Sequence, residues 1–77
     1  MKPKGPTKIQ LNFGIAVRRR RHELGWSQFV FAEKAGIHRT YVSAIERGKV
    51  DMGLNIIKSI ADALQIPLSK LIKETES

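Results

Sequence analysis

The sequence predicts an all-α domain, and three observations support this prediction. Apolar residues recur at helical spacing in five successive segments. Glycine or proline stands at most of the junctions between these segments, where helices commonly end or begin. No segment shows the two-residue alternation of apolar and polar side chains that is typical of a strand. Since the chain has 77 residues, we expect a single domain with a small core.

The first predicted helix covers residues 9 to 24. Its apolar side chains, among them Ile9, Phe13 and Val17, lie close to the spacing of one helix face, and Gly25 supplies its end.

The second and third predicted helices are short and meet at a tight turn. Ser27 offers a hydroxyl to cap the second helix, and Gly36 ends it. The third begins at His38 or Arg39 and ends at Gly48. The predicted buried side chains of the two helices are Phe31, Ala32, Ala35, Val42 and Ile45.

The fourth predicted helix runs from Leu54 to Leu64. The fifth has Pro67, with its fixed φ, in its first turn. The inward positions are predicted to be Leu54, Ile57, Ile60, Ala61 and Leu64 on the fourth helix and Leu68, Leu71 and Ile72 on the fifth.

The chain divides into three predicted parts. Residues 1 to 8 are rich in lysine and proline and carry little apolar surface, so we expect a flexible basic arm. Residues 9 to 74 form the helical domain, and residues 75 to 77 form a short tail.

Charge is distributed unevenly along the chain. Residues 1 to 49 hold 11 lysines and arginines against three acidic residues, a formal charge of +8, whereas residues 50 to 77 carry −1. A one-sided positive field attracts polyanions. Nucleic acid is therefore the first partner to consider, and an anionic membrane surface is the second.

Several function classes are disfavoured by residue content. The chain has no cysteine, and its two histidines, His22 and His38, have no carboxylates at metal-binding spacing. No catalytic set of side chains or glycine-rich phosphate loop can be assembled. No apolar run approaches the length of about 18 residues that spans a membrane, and the arginine-rich first helix separates its polar and apolar faces too weakly to lie on a membrane surface. We expect a cytoplasmic protein that is not an enzyme, has no cofactor or metal and does not bind membranes.

Residues 28 to 45 satisfy the steric requirements of two helices joined at a sharp angle. The fifth position of this segment, Ala32, is small, and the ninth, Gly36, tolerates positive φ. Apolar residues fill the flanking positions Phe31, Ala35, Ile37, Val42 and Ile45. The pattern predicts a helix-turn-helix.

The chain resembles the phage-repressor-like, or xenobiotic-response-element (XRE), helix-turn-helix family. The resemblance lies in "RRRRHELGWSQ", "FAEKAG", "HRTYVSAIERGK" and "IIKSIADALQIPLSKLI" and spans about residues 9 to 73. It implies a compact five-helix lambda-repressor-like DNA-binding domain. The layout without an effector domain also resembles controller proteins of restriction-modification systems.

The resemblance implies roles for individual residues. A recognition helix over residues 38 to 47 would lie in the major groove. The implied base contacts are Arg39, Thr40, Ser43 and Ala44, and the implied phosphate contacts are Ser27, Gln28, Tyr41, Arg47 and Lys49. Ordinary surface or capping roles are the alternative for these side chains.

The run "RRRR" at residues 18 to 21 does not form one basic patch, because four successive helical residues point in four directions. The resemblance implies that Arg21 forms a structural ion pair with Glu46, and Arg18 could assist. We expect Arg19 and Arg20 to be solvated or loosely near phosphate.

Phe29 and Val30 depart from the family pattern, which has polar residues there. An exposed Phe29 could contact DNA or another protein. It could instead fold back against helix one or Trp26.

We expect a homodimeric transcription regulator on an inverted-repeat operator, because one recognition helix specifies too few base pairs. The candidate interface residues are Ile56, Ile66, Leu68 and Ile72, some of which will be core. Double-stranded DNA and a second copy are the expected partners, and bound protein could also contact the transcription machinery. The alternative is a protein-interaction module, such as an antitoxin with secondary DNA binding.

Overall fold

The computed structural model describes residues 5 to 76, and in this range it contains helices and no strand. The five helices, in chain order, are α1 (Lys8–Glu23), α2 (Gln28–Ala35), α3 (Arg39–Glu46), α4 (Leu54–Ala63) and α5 (Leu68–Glu76). The prediction of an all-α five-helix domain is confirmed.

The helical part of the chain extends slightly beyond the predicted limits. Thr7 is the N-cap of α1 and forms a capping box with Gln10, so the helix begins within the segment assigned to the arm. At the other end, α5 includes Thr75 and Glu76, and the Thr75 hydroxyl donates to the Leu71 carbonyl at 2.8 Å. Residues 1 to 4 of the predicted arm and residue 77 of the predicted tail lie outside the described residues.

The turn between α2 and α3 follows from its capping residues. The Ser27 hydroxyl accepts from the Val30 N–H and caps α2. Gly36 ends α2 with a φ of 69°, a left-handed conformation that glycine adopts without a steric penalty. His38 then caps α3. Two helices separated by three residues are thereby held at a fixed angle.

The core lies where α1, α3, α4 and α5 meet, with α2 packed against α3 and α4. Its largest fully buried side chains are Val17, Phe31, Val42, Ile45, Ile60, Leu64 and Leu71. All seven are positions at which helical spacing predicted burial.

Three predicted inward positions are on the surface. Leu54 is 78% exposed and Ile9 is 61% exposed, because each lies in the first turn of its helix, beyond the end of the core. Ile72 is 37% exposed at the edge of α5. Helical periodicity identifies a face of a helix, but it does not identify the point at which that face leaves the core.

Helices α1 and α3 approach each other closely at Gly14. A Cβ atom added to Gly14 would lie 2.5 Å from the carbonyl oxygen of Ile45 and 2.7 Å from that of Glu46. Only glycine therefore allows the α1 backbone to lie directly against the C-terminal turn of α3.

Arg20 has a structural role, and the expectation that it is solvated or near phosphate is wrong. Its Nε donates to the Leu64 carbonyl at 2.9 Å and its Nη2 donates to the Gln65 carbonyl at 3.1 Å. These carbonyls lie at the C-terminal end of α4, where they have no partner within the helix. The Arg20 guanidinium thus ties α1 to the end of α4.

Replacing Arg20 with alanine should destabilise the domain by about 1 to 2 kcal/mol, because two carbonyls lose charge-assisted hydrogen bonds at a partly exposed site. Urea denaturation of the variant measures this loss. Alanine at Arg18, an exposed residue of the same helix, should change stability by less than about 0.5 kcal/mol. Equal effects of the two substitutions would contradict the assigned role.

Candidate nucleic-acid interface

Helix α3 has one buried side and one polar, accessible side. Val42 and Ile45 are fully or almost fully buried against the core. Arg39 and Thr40 are exposed at the N-terminal turn, and Ser43 and Ala44 are partly exposed one turn later. Residues three and four positions apart share a helix face. The four residues predicted to contact bases therefore form one continuous edge, which we call the α3 edge.

Arg39 is free within the part of the protein that the structure describes. Its side chain is exposed, and its guanidinium has no hydrogen-bond or ion-pair partner among residues 5 to 76. A guanidinium in this state keeps all its N–H donors available and matches the two acceptors O6 and N7 of guanine.

Thr40 differs from Arg39, because it is hydrogen-bonded within the protein. The Thr40 backbone N–H donates to Nδ1 of the His38 imidazole at 3.1 Å, and the Thr40 hydroxyl lies 2.7 Å from the same nitrogen. Both side chains are nevertheless exposed.

A buried ion pair lies behind α3. Arg21 Nε and Nη2 donate to the two carboxylate oxygens of Glu46 at 2.6 and 2.9 Å. The two side chains are only 9% and 4% exposed. Arg21 Nη1 also donates to the Trp26 carbonyl at 2.8 Å. The pair links α1, the loop before α2 and the last residue of α3.

Gln28 is part of this network, which was not expected from the sequence. Its Nε2 donates to Glu46 at 3.1 Å, so one amide hydrogen is used inside the protein. The second amide hydrogen and the amide oxygen have no partner in the described residues. Gln28 and Ser27 lie at the N-terminus of α2, where backbone N–H groups and the helix dipole favour an anion.

The basic residues after α3 lie in a segment that is held by hydrogen bonds to backbone carbonyls. The Lys49 N–H donates to the Ala44 carbonyl at 2.9 Å, and Gln10 Nε2 donates to the Val50 carbonyl at 3.1 Å. Arg47 Nε donates to the Ser43 carbonyl at 3.3 Å, and the Arg47 and Lys49 side chains are exposed.

The remaining predicted phosphate contact, Tyr41, is partly buried and packs against the core cluster. Its ring is therefore supported by the protein interior, in contrast to the exposed chains of Arg47 and Lys49.

Phe29 does not fold back onto the protein. It is 60% exposed and lines an open cleft with Glu33, His38 and Arg39. Trp26 instead stacks on Phe31, with ring centroids 6.5 Å apart, and Lys34 lies over its ring. An apolar ring is thus exposed beside the N-terminal end of the α3 edge.

The predicted interface residues differ in their availability to a partner. Ile66 belongs to the core and Leu68 packs against it. Ile56 and Ile72 are each exposed by more than a third. Ile72 also borders an apolar groove of about 150 Å³ that Ile9, Phe13, Val50, Met52 and Ile57 help to line.

Residues 5 to 76 contain neither a metal-binding cluster nor a membrane-spanning helix. No group of three or more histidine, cysteine, aspartate or glutamate side chains could hold a metal ion. None of the helices in this range has the length and apolar content needed to cross a membrane.

The sequence is similar to a known protein family and to individual bacterial proteins. Residues 17 to 71 match the family model described as helix-turn-helix. The chain is 35% identical to control protein C.MunI of Mycoplasma sp over 69 residues, which cover 88% of this chain and 93% of the relative. It is 42% identical over 48 residues to a hypothetical transcription factor of Neisseria meningitidis serogroup B, with 62% of this chain and 45% of that protein aligned. The chain thus spans about half the length of the Neisseria relative.

Solved structures have the same fold. The restriction-modification controller protein C.AhdI of Aeromonas hydrophila superposes with a TM-score of 0.77 at 35% identity, covering 80% of this chain and 94% of that one. The controller protein C.Esp1396I, in a tetramer complexed with its natural 35 base-pair operator, superposes with a TM-score of 0.79 at 25% identity, covering 92% and 99%.

These similarities cover α3 and the helices that pack against it. The family model alone covers most of the chain, and the Mycoplasma control protein is similar over nearly its whole length. The chain therefore belongs to the XRE-type helix-turn-helix family of DNA-binding transcription regulators.

Proposed function

We propose that the protein is a controller-type transcription regulator that binds double-stranded DNA sequence-specifically as a homodimer, with α3 in the major groove. The observation that carries this proposal is the α3 edge. Its exposed polar side chains lie opposite Val42 and Ile45, which fix the helix in the core. An α-helix presented in this way fits the major groove of B-DNA.

Base recognition is assigned to Arg39, Thr40, Ser43 and Ala44. Arg39 donates two hydrogen bonds to guanine, and Thr40 places its hydroxyl or methyl group against a base edge. Ser43 and Ala44 contact the adjacent base pair. The absence of an internal partner for Arg39 in residues 5 to 76 supports this role, because no protein contact has to break before DNA binds.

Phosphate binding is assigned to side chains on both sides of the α3 edge. They are Ser27, Gln28, Tyr41, Arg47 and Lys49. The N-terminus of α2 supports the first two, and the anchored loop after α3 supports Lys49. Contacts to phosphate fix the register of the protein on the duplex and carry little sequence information.

Dimerisation is assigned to the surface of α4 and α5. Ile56 and Ile72 are exposed, and the groove beside Ile72 offers further apolar area. A two-fold dimer would place two α3 helices on half-sites about 34 Å apart and would require an inverted repeat. The oligomeric operator complex of C.Esp1396I supports an assembly on DNA. We further infer a cytoplasmic, non-enzymatic protein that contacts the transcription machinery when bound.

The exposed Phe29 favours one alternative function, a protein-interaction module such as an antitoxin in which DNA binding is secondary. In that case Phe29→Ser would abolish binding to the partner protein and leave DNA affinity unchanged. If the protein instead acts through DNA alone, no partner protein should co-purify with it when it is expressed together with its neighbouring genes.

The base and phosphate roles make opposite predictions for two variants. Arg39→Ala should relax preference at one base pair per half-site, with a loss of about 1 to 3 kcal/mol of discrimination. Lys49→Ala should weaken binding to all sequences alike and reduce the slope of log affinity against log salt by about one. Fluorescence anisotropy on an operator selected from random oligonucleotides measures both effects.

Lys58→Gln provides the control, because Lys58 is an exposed cation on α4 that pairs with Asp62. It should change neither base preference nor salt slope. Equal losses on every sequence for both Arg39→Ala and Lys49→Ala, or the same slope change in the control, would refute the assignment.

A further inference from the structure

His38 caps α3 with a ring nitrogen, whereas N-caps are usually serine, threonine, aspartate or asparagine. Nδ1 of its imidazole is the acceptor for the Thr40 backbone N–H at 3.1 Å. The side chain is exposed at the N-terminal end of the α3 edge, next to Arg39. The cap therefore lies within the surface assigned to base recognition.

The contact from the Thr40 backbone N–H assigns the tautomer of the ring. A backbone N–H is only a donor, so Nδ1 is assigned as the acceptor, without a hydrogen. In the neutral imidazole the hydrogen is then on Nε2.

The tautomer in turn determines the direction of the second hydrogen bond. The Thr40 hydroxyl oxygen lies 2.7 Å from the same Nδ1. With Nδ1 assigned as the acceptor, the hydroxyl donates to it, and the two Thr40 donors share its single lone pair. The hydrogen of the Thr40 hydroxyl is thus directed at the His38 ring, and only the oxygen lone pairs remain for a partner outside the protein.

We propose that His38 is a positioning residue for DNA recognition, which holds the Thr40 hydroxyl as a hydrogen-bond acceptor towards the base edge. In the major groove an acceptor matches an exocyclic amino group, at N6 of adenine or N4 of cytosine, and does not match the oxygen acceptors of guanine or thymine. The base facing Thr40 is therefore adenine or cytosine. This inference rests on the proposed function.

The first experiment uses the free protein. A long-range ¹H–¹⁵N correlation spectrum of the imidazole rings at about pH 8 should show His38 with its hydrogen on Nε2 and Nδ1 unprotonated. A hydrogen on Nδ1 under these conditions overturns the inference whether or not the protein binds DNA.

The second experiment uses an operator selected with the unchanged protein at about pH 8. Replacing the base facing Thr40 with an analogue that lacks only the amino group should weaken binding about five- to tenfold. The Thr40→Val variant identifies this base, because it should bind the operator with the amino group and the operator without it with equal affinity.

Two His38 variants then separate positioning from capping. His38→Ala should lose the preference for the amino group to the same extent as Thr40→Val, and the double variant should lose no more than either one. His38→Asn retains an oxygen acceptor and a good N-cap, so it should keep the preference. Circular dichroism checks that all variants are folded.

Two further results would overturn the inference. They are full preference for the amino group in His38→Ala, and a guanine or thymine at the position identified by Thr40→Val. Failure of the unchanged protein to prefer any sequence would reject the proposed function instead. The ring spectrum of the free protein would then still test the His38 tautomer on which the inference depends.

Discussion

Replacing Arg21 with alanine is expected to lower the free energy of unfolding by about 3 to 5 kcal/mol. The Glu46 carboxylate is 4% exposed and receives two hydrogen bonds from Arg21. Removal of the guanidinium leaves that charge buried with Gln28 as its remaining side-chain donor. A domain of this size has about 4 to 12 kcal/mol of total stability, so much of the population would unfold under mild conditions.

Urea denaturation at neutral pH measures the effect of Arg21→Ala. The matched control is Arg18→Ala, an exposed arginine on the same helix, which should stay within about 0.5 kcal/mol of the unchanged protein. The double variant Arg21→Met with Glu46→Leu should recover most of the loss, because it removes both charges and keeps similar side-chain volume. A double variant as unstable as Arg21→Ala would show that the buried charge is not the cause.

Arg21→Ala should also leave base preference intact wherever the protein is still folded, because Arg21 lies behind α3 and not on its accessible edge. Affinity measured at low temperature, on operators that differ at single base pairs, tests this separation. A change in preference at one base pair would assign Arg21 a part in recognition.

Replacing Gly14 with alanine is expected to destabilise the domain by about 3 kcal/mol. Alanine in a helix interior normally stabilises by about 1 kcal/mol relative to glycine. Here the added methyl group would lie 2.5 and 2.7 Å from the carbonyl oxygens of Ile45 and Glu46. Both are backbone atoms, so α1 and α3 must move apart, and overpacking of this kind commonly costs about 1 to 3 kcal/mol or more.

The control for Gly14→Ala is the same substitution at Gly53, where an added Cβ has open space around it. Gly53 is the N-cap of α4 at a φ of −74°, so alanine there should cost at most about 1 kcal/mol. Thermal unfolding of both variants gives the comparison. If Gly14→Ala were as stable as the unchanged protein, the close approach of α1 and α3 would not be required.

The local features of the fold could be predicted because their causes are local. Ser27, Ala32 and Gly36 each satisfy a requirement set by residues within one or two turns, namely a cap, a small contact and a positive φ. The helix-turn-helix therefore follows from spacing alone. The position of the α3 edge follows from the same spacing, because burial of Val42 and Ile45 fixes which side of the helix remains accessible.

Interactions between distant segments could not be predicted. From the sequence, Gly14 is expected only to weaken α1. Its close contact with α3 is visible only in the structure. Arg20 and Arg21 are neighbours of one residue type, and only the positions of α4 and α3 give them different partners. Gln28 was expected to contact phosphate, but Glu46 already binds one of its amide hydrogens, and that contact is 18 residues away in sequence.

The lack of any internal bond to the Arg39 guanidinium in residues 5 to 76 has a consequence for the divergence of such proteins. A side chain without a hydrogen bond or ion pair in the fold can be exchanged with little loss of thermal tolerance, and under the proposed function one such mutation alters the target sequence. Thr40, which is tied to its neighbour, lacks this freedom. Related proteins that recognise different DNA sequences should therefore differ first at position 39. Their residues at positions 38 and 40 should change together.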